Sequence, residues 1–204
     1  MRFRFPRMGL RMVLRMVLGT AVALGTVLAL TGTAGCGSKD EPTSVPSSAP
    51  SHSVPPGLDT TPPEKPTAAP TKQSAAEFGE YFAHLVQYSI RIRNVRPVMG
   101  EALDQARCNT CRQVSEFIQG LKKDQVWEIG PDLEPGTFRT RPREDGFRVS
   151  GGFRYPASRS VKIDGTRDSD DAAGDYKFAA DLVWDADGSH WRVLDYTFTD
   201  KSAE

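Results

Sequence analysis

The hydrophobic pattern of this chain changes period once, near Lys123, and that change restricts the fold more than any other feature. Before it, apolar residues recur three and four apart. Phe78, Tyr81, Phe82, Leu85, Val86 and Ser89 fall on one face, which predicts a helix from a capping-box pattern at Ser74-Ala-Ala-Glu77 to about Ile92. Pro97 is placed to open a second, shorter helix carrying Val98, Met99, Ala102 and Leu103. A third begins near Thr110 and carries Val114, Phe117, Ile118 and Leu121. After Lys123 the pattern alternates. Short strands are expected at 126–129, 138–141, 147–155 and 161–163. Tyr176, Phe178, Ala180, Leu182 and Trp184 alternate strictly, Asp185-Ala-Asp-Gly188 signals a hairpin turn, and Trp191 to Phe198 forms the returning strand. Helices first and strands after predict an α+β fold, with three helices packed on an antiparallel sheet. Residues 74–199 form the one domain, followed by a disordered tail over 200–204.

The N-terminal end has a different grammar. Arg2, Arg4, Arg7, Arg11 and Arg15 precede an uncharged, mostly apolar run from Met16 to Leu30, and no acid occurs before Asp40. A basic segment, an apolar run of about fifteen residues and a small-residue cleavage site describe a secretory signal. The run is short of the roughly 20 residues that span a bilayer. Unpaired arginines point to the general secretory route rather than a twin-arginine one. Leu30 to Cys36 reads Leu-Thr-Gly-Thr-Ala-Gly-Cys and resembles a bacterial lipobox, with Thr33 where leucine is also common. On that reading 1–35 is a lipoprotein signal peptide, the Cys36 thiol takes the lipid, and the protein is held at the outer face of the cell membrane. Two or three acyl chains hold a protein stably where one would be marginal.

Composition carries the argument through the next segment. Nine of the fifteen prolines lie between Pro42 and Pro70, among Ser, Thr and Ala. Such a stretch buries too little apolar surface to offset its ordering entropy, so 36–73 is expected to be a disordered tether. Extended over Gly37 to Lys72, it reaches on the order of 100 Å. The full chain is formally neutral, with 26 basic and 26 acidic residues. Without the five signal arginines it is acidic, which gives no electrostatic support for nucleic-acid binding.

Cys108-Asn-Thr-Cys111 is the sharpest local motif. Outside the cytoplasm an even pair is read as a structural disulfide. A redox dithiol could use the same spacing at a helix start, but no βαβ unit frames it. A metal site would need about four ligands, and the only histidines are His52, His84 and His190. Neither a cofactor nor a catalytic constellation is expected: Ser/His/Asp spacing and phosphate loops are missing. His84 flanks the apolar stripe of the first helix, and Asp181 and Asp195 lie on strands. Arg139, Arg141, Arg143, Arg148 and Arg154 alternate with Phe138, Phe147 and Phe153, as on a solvated sheet face; anionic headgroups or wall polymers are the alternative. The acidic run from Asp164 to Asp175 lacks the ligand order of a calcium loop and reads as a solvated hairpin loop.

Ala75-Ala-Glu-Phe-Gly-Glu-Tyr-Phe82, Tyr88, the Cys-x-x-Cys at a helix start, Trp127 and Trp191-Arg-Val193 together resemble a family of uncharacterised actinobacterial lipoproteins. Those combine a lipobox, a Pro/Thr/Ser-rich spacer and one small domain similar to the cone-shaped nuclear transport factor 2-like and ketosteroid-isomerase-like folds. The chain departs from the pattern after Tyr88, where Ser-Ile-Arg-Ile-Arg replaces a small, polar Gly-Asp turn. The resemblance implies a curved sheet forming a cone, and a pocket that His84, Tyr88 and Trp127 could line to take a small apolar ligand. It implies no activity. The expected function is a non-catalytic binding or accessory module of the cell envelope, with an envelope protein or a small apolar ligand as partner. An enzyme or small-ligand binder using the cone pocket is one alternative, and a thiol–disulfide protein acting through Cys108 and Cys111 is another.

Overall fold

The computed structural model describes residues 54–201. The signal segment 1–35, Cys36 and positions 36–53 of the expected tether lie outside the described residues, as do 202–204.

Helix α1, Lys72–Arg91, is the long element on which the others pack. Its cap is Thr71, whose Oγ1 accepts from Ser74 N at 3.1 Å. The expected cap, Ser74, is instead buried in the first turn. Its hydroxyl accepts from Trp191 Nε1 at 3.1 Å and from Ala69 N at 3.0 Å. The hydroxyl is thus committed to the indole, and the first turn moves back to the preceding Thr. Glu77 likewise accepts from Gln73 Nε2 rather than closing a capping box. Of the expected stripe, Phe78, Phe82, Leu85, Val86 and Ser89 are buried and Tyr81 is partly buried, and Ala75 joins them. Gly79 lies in that stripe because a Cβ there would sit 2.6 Å from Val149 Cγ1, so the missing side chain lets the helix approach the sheet.

After Arg93, in the left-handed region at φ 51°, helix α2 covers Arg96–Glu101. Ala102 and Leu103, expected inside it, lie past its end. Ala102 is extended and bridges Val193 in parallel, and Leu103 N donates to Val193 O at 2.8 Å. The open edge of the last strand supplies backbone partners that another helical turn would forgo. Helix α3, Asn109–Lys123, buries Thr110, Cys111, Val114 and Ile118 and covers Phe117 and Leu121 in part.

Eight strands follow: β1 Val126–Ile129, β2 Glu134–Pro135, β3 Arg139–Arg143, β4 Gly146–Tyr155, β5 Ser158–Lys162, β6 Arg167–Asp171, β7 Gly174–Asp185 and β8 His190–Asp200. All the strand pairings are antiparallel. One sheet runs β1-β5-β6; the other runs β2-β4-β7-β8, with β3 also on β4. The mixed helix and antiparallel-sheet class is as expected. Strand β6 corrects the reading of that acidic run as a loop. It is a charged edge strand, with Arg167 paired to Asp170 and Lys162 reaching Asp168 at 3.8 Å. In the β7–β8 ladder Asp181 faces Asp195 but Leu182 faces Val193, so Leu194 is an extra residue. This bulge switches the core-facing set of β8 from Trp191 and Val193 to Tyr196 and Phe198.

The core lies between α1 and the larger sheet. Phe82 meets Tyr196 edge-on at 5.0 Å, and Trp184 meets Trp191 at 5.1 Å. Packed contacts also reach back before Ser74, the expected start of the domain. Lys65 pairs with Glu101 at 2.7 Å and lies over the Phe78 ring, and Ser74 Oγ donates to Thr67 O.

Candidate functional site

The first turn of α3 is fixed to β8. Asp195 Oδ1 accepts from Thr110 N at 3.2 Å, and Thr110 Oγ1 donates to Tyr196 O. A carboxylate at a helix N-terminus also opposes the positive end of the helix dipole. Cys108 caps this turn and is disulfide-bonded to Cys111, with Cα atoms 5.2 Å apart and both residues fully buried. A redox dithiol needs an accessible thiolate; this bridge is shut inside the α3–β8 contact.

Of the three residues expected to line a pocket, His84 and Tyr88 lie on α1 and Trp127 on β1. His84 is half-buried on α1, and Tyr88 packs in part against the core. Trp127 is buried on β1 under the Arg93 guanidinium, 3.5 Å from the ring centroid. The space between α1 and the sheet is occupied by Phe78, Phe82, Phe178, Trp191 and Tyr196, each 0–1% exposed.

A concavity lies on the opposite face of the larger sheet. It is an open groove of about 480 Å³. Cross-strand register builds it: Arg139, Ser150, Ala179 and Thr197 form one row, and Gly152, Lys177 and Thr199 the next. Arg139, Lys177 and Lys201, all exposed, are the ionisable groups lining it. Gly152 forms part of the floor. A Cβ there would lie 3.2 Å from Lys201 Nζ, so the bare backbone lets that ammonium lie across the sheet. Two acids flank the groove on β7: Asp175 lies two residues before Lys177, and Asp181 two residues after Ala179. Asp181 pairs with Arg143 at 2.5 Å and Arg148 at 3.2 Å, Asp175 lies opposite Arg154, and Asp195 is engaged at α3. The solvated-face reading of the arginines therefore holds at Arg143 and Arg148, whose charges are partly matched.

A second feature was not foreseen. Glu128, on β1, is 4% exposed, and its Oε1 has no hydrogen-bond partner. It shares a face of the smaller sheet with Ser158, Ser160 and Asp171, as the pairing of Glu128 with Ser160 and of Ser158 with Asp171 requires. Burial pushes its carboxyl up to about 7, and the Asp171 charge adds to the rise; Arg91 and Ser158 oppose it. Asp171 is itself raised, by burial and then by Asp170. Nearby, Arg91 is buried and donates to Gly130 O at 2.9 Å, while Gln87 donates to Pro131 O and accepts from Leu133 N. These bonds hold the β1–β2 connection to α1. An isolated Glu in a strand reads from sequence as a solvent-facing residue; here it is buried, with Arg91 of α1 close enough to act on its charge. The groove was half visible, since Lys177, Thr197 and Thr199 occupy outward positions of alternating strands. The roles of Gly152 and Lys201 left no sequence signal.

No group of three or more His, Cys, Asp or Glu suited to a metal ion occurs among the described residues. Nor does any described helix have the length and apolarity to cross a membrane. The sequence matches no family model and no curated protein. Among solved structures, a protein from Catenulispora acidiphila is similar at 7% identity and a TM-score of 0.43, over 64% of this chain and 95% of that one. The intermembrane space region of a chloroplast protein is similar at 10% identity and a TM-score of 0.36, over 58% and 95%. A ketosteroid isomerase-like protein from Erwinia carotovora atroseptica is similar at 12% identity and a TM-score of 0.35, over 60% and 93%. The fold described above rests on its own helices and strands.

Proposed function

We propose that this chain is a lipoprotein of the cell envelope, exported by the general secretory route and fixed through lipid on Cys36 to the outer face of the membrane. Its domain, a cone of the nuclear transport factor 2-like class on this reading, binds a partner and catalyses nothing. The export signal and lipobox support the location. One observation carries the non-catalytic reading: the interior, where a cone-fold enzyme would keep its pocket, is filled by Phe78, Phe82, Phe178, Trp191 and Tyr196. A filled interior leaves the outer surfaces to do the binding. The test is two-part. Cys36→Ala should move the protein out of the membrane fraction or trap its precursor. Crosslinking in intact cells should give a discrete adduct on the folded domain. A correctly processed Cys36→Ala protein that stays in the membrane would sink the anchor.

Glu128 favours a second reading, a cone-fold enzyme, because a buried carboxyl near neutral pKa suits general acid–base work. That reading needs a substrate to reach a carboxyl that is now 4% exposed. Protection of Glu128 from a carbodiimide at pH 6 would count against it.

A further inference from the structure

We propose that the Arg93 guanidinium, stacked on Trp127, is a binding site for a carboxylate borne on a partner protein. This deepens the binding-module reading and rests on it.

The backbone gives the first support. Arg93 N donates to Ile90 O at 3.0 Å, and Asn94 N donates to Ser89 O at 2.9 Å. This pair of bonds ends α1 in a motif whose left-handed position ordinarily takes glycine or asparagine. Arg93 holds that position at φ 51°. A residue with a long side chain is strained there. The backbone thus does not ask for arginine, and the side chain has to account for its presence.

That side chain lies with its Cζ 3.5 Å from the Trp127 ring centroid, and the residue is 8% exposed. A buried guanidinium ordinarily meets a carboxylate or several carbonyls. Two residues earlier, Arg91 does so: Asp132 Oδ1 and the carbonyls of Gly130 and Pro131 accept its protons. The Arg93 guanidinium has no such acceptor among the described residues. Burial lowers its pKa, and no acid offsets the shift. Its Nε is enclosed without a partner, and so is Trp127 Nε1. The two Nη atoms also lack an acceptor, but they are not enclosed. The place therefore holds donors only, carries a positive charge, is partly dehydrated and leaves one edge of the guanidinium open.

Those properties select the ligand. The Nη pair presents a planar fork that matches the two oxygens of a carboxylate. One guanidinium balances one carboxylate, whereas a phosphate brings more charge than the site neutralises. Partial exclusion of water strengthens the charge-assisted bonds. A free small acid gains this fork and little else. An Asp or Glu side chain on a partner brings the contacts around it as well, and arginine and tryptophan are frequent anchors of protein interfaces.

The experiment titrates the full nitrogen-15-labelled chain, in detergent, with acetate at constant ionic strength. The Arg93 Nε–H and Trp127 Nε1–H signals should shift saturably with acetate, less with inorganic phosphate, and not with acetamide. Arg93→Lys keeps the charge but loses the fork, and should weaken acetate binding about tenfold, read at the Trp127 signal. Its remaining spectrum should match wild type, which keeps the comparison on a folded protein. Arg93→Gln should abolish the shift and remove the adduct that crosslinking gives in intact cells. A purely structural Arg93 would change stability in these variants and give no acetate response in wild type. An absent response, an equal response to acetamide, or unchanged binding by Arg93→Lys overturns the proposal. Acetate binding together with an adduct that persists in Arg93→Gln overturns the choice of a protein-borne acid. If the chain ignores acetate and keeps its adduct in Arg93→Gln, the site is refuted and the binding-module reading survives.

Discussion

Replacing Glu128 by Gln isolates the free-energy cost of an enclosed carboxylate. Glutamine has nearly the shape of the protonated acid and cannot ionise. In the folded protein the Glu128 carboxyl is raised from 4.5 to about 7, chiefly by burial and then by the Asp171 charge. Between those values the folded state keeps a proton that the unfolded chain has released. The stability that this proton confers is therefore fully present below about pH 4.5 and is lost as pH rises to about 7 and beyond. The span corresponds to about 3 kcal/mol. For a domain of this size that is on the order of 10 °C in thermal midpoint. Urea titrations of wild type and E128Q, at steps between pH 4.5 and 8.5, measure the difference. The two should nearly coincide at the acid end and diverge as pH rises, with E128Q the more stable. The subtraction removes the titrating groups the two proteins share, apart from Asp171, whose charge interacts with Glu128. Parallel curves would refute the reasoning. So would E128Q falling below wild type at pH 8, since Arg91 would then be stabilising the charged form by more than burial costs it.

Four other outcomes are expected. Cys36→Ala should shift the protein from membrane to soluble fractions or accumulate a precursor of higher mass on gels, and unchanged attachment after processing contradicts the lipobox. Cys108→Ser/Cys111→Ser should keep the fold and lose about 2 kcal/mol or less in urea unfolding, because the closed loop is short. Titration of the native pair against glutathione should show a structural bridge, below about −300 mV; a value near −200 mV restores the redox alternative. Gly79→Ala should cost about 1–3 kcal/mol through its 2.6 Å clash with Val149. Pairing it with Val149→Ala should recover part of that loss, and strict additivity in the double mutant would place the strain elsewhere.

The three helices and the β7–β8 hairpin were legible because each buries one continuous face. Phe78, Phe82 and Leu85, or Tyr176, Phe178 and Ala180, then show the period of their element directly. Legibility failed where a third element intervened. Ser74 has the sequence of a cap, but Trp191, more than a hundred residues away, takes its hydroxyl. Ala102 and Leu103 continue a helical pattern, but the β8 edge draws them out straight. Strand β6 has almost no apolar residues and exists through backbone pairing with β5. The pocket expected around His84, Tyr88 and Trp127 came from resemblance; packing of Phe82 against Tyr196 from the other side of the core is a pairwise fit that one-dimensional spacing does not contain. Of the groove's ionisable lining only Arg139 was singled out from sequence, and the groove's floor depends on a glycine.

The contacts of Ser74 give the domain a mechanical property. A pull on the chain ahead of Lys65 does not reach the first turn of α1 directly. It loads the Lys65–Glu101 pair, with Tyr81 behind Glu101, and then the bonds from Thr67 and Ala69 to Ser74. From Ser74 the load passes through the indole of Trp191 into β8, the strand that carries the C-terminal end. Tension is thus shared between the first helix and the last strand before either begins to unravel. Several bonds must stretch together rather than open one at a time. Force spectroscopy with the handle at the N-terminus should accordingly give a higher rupture force than Ser74→Ala, and loading from both ends of β8 should not distinguish the two as strongly.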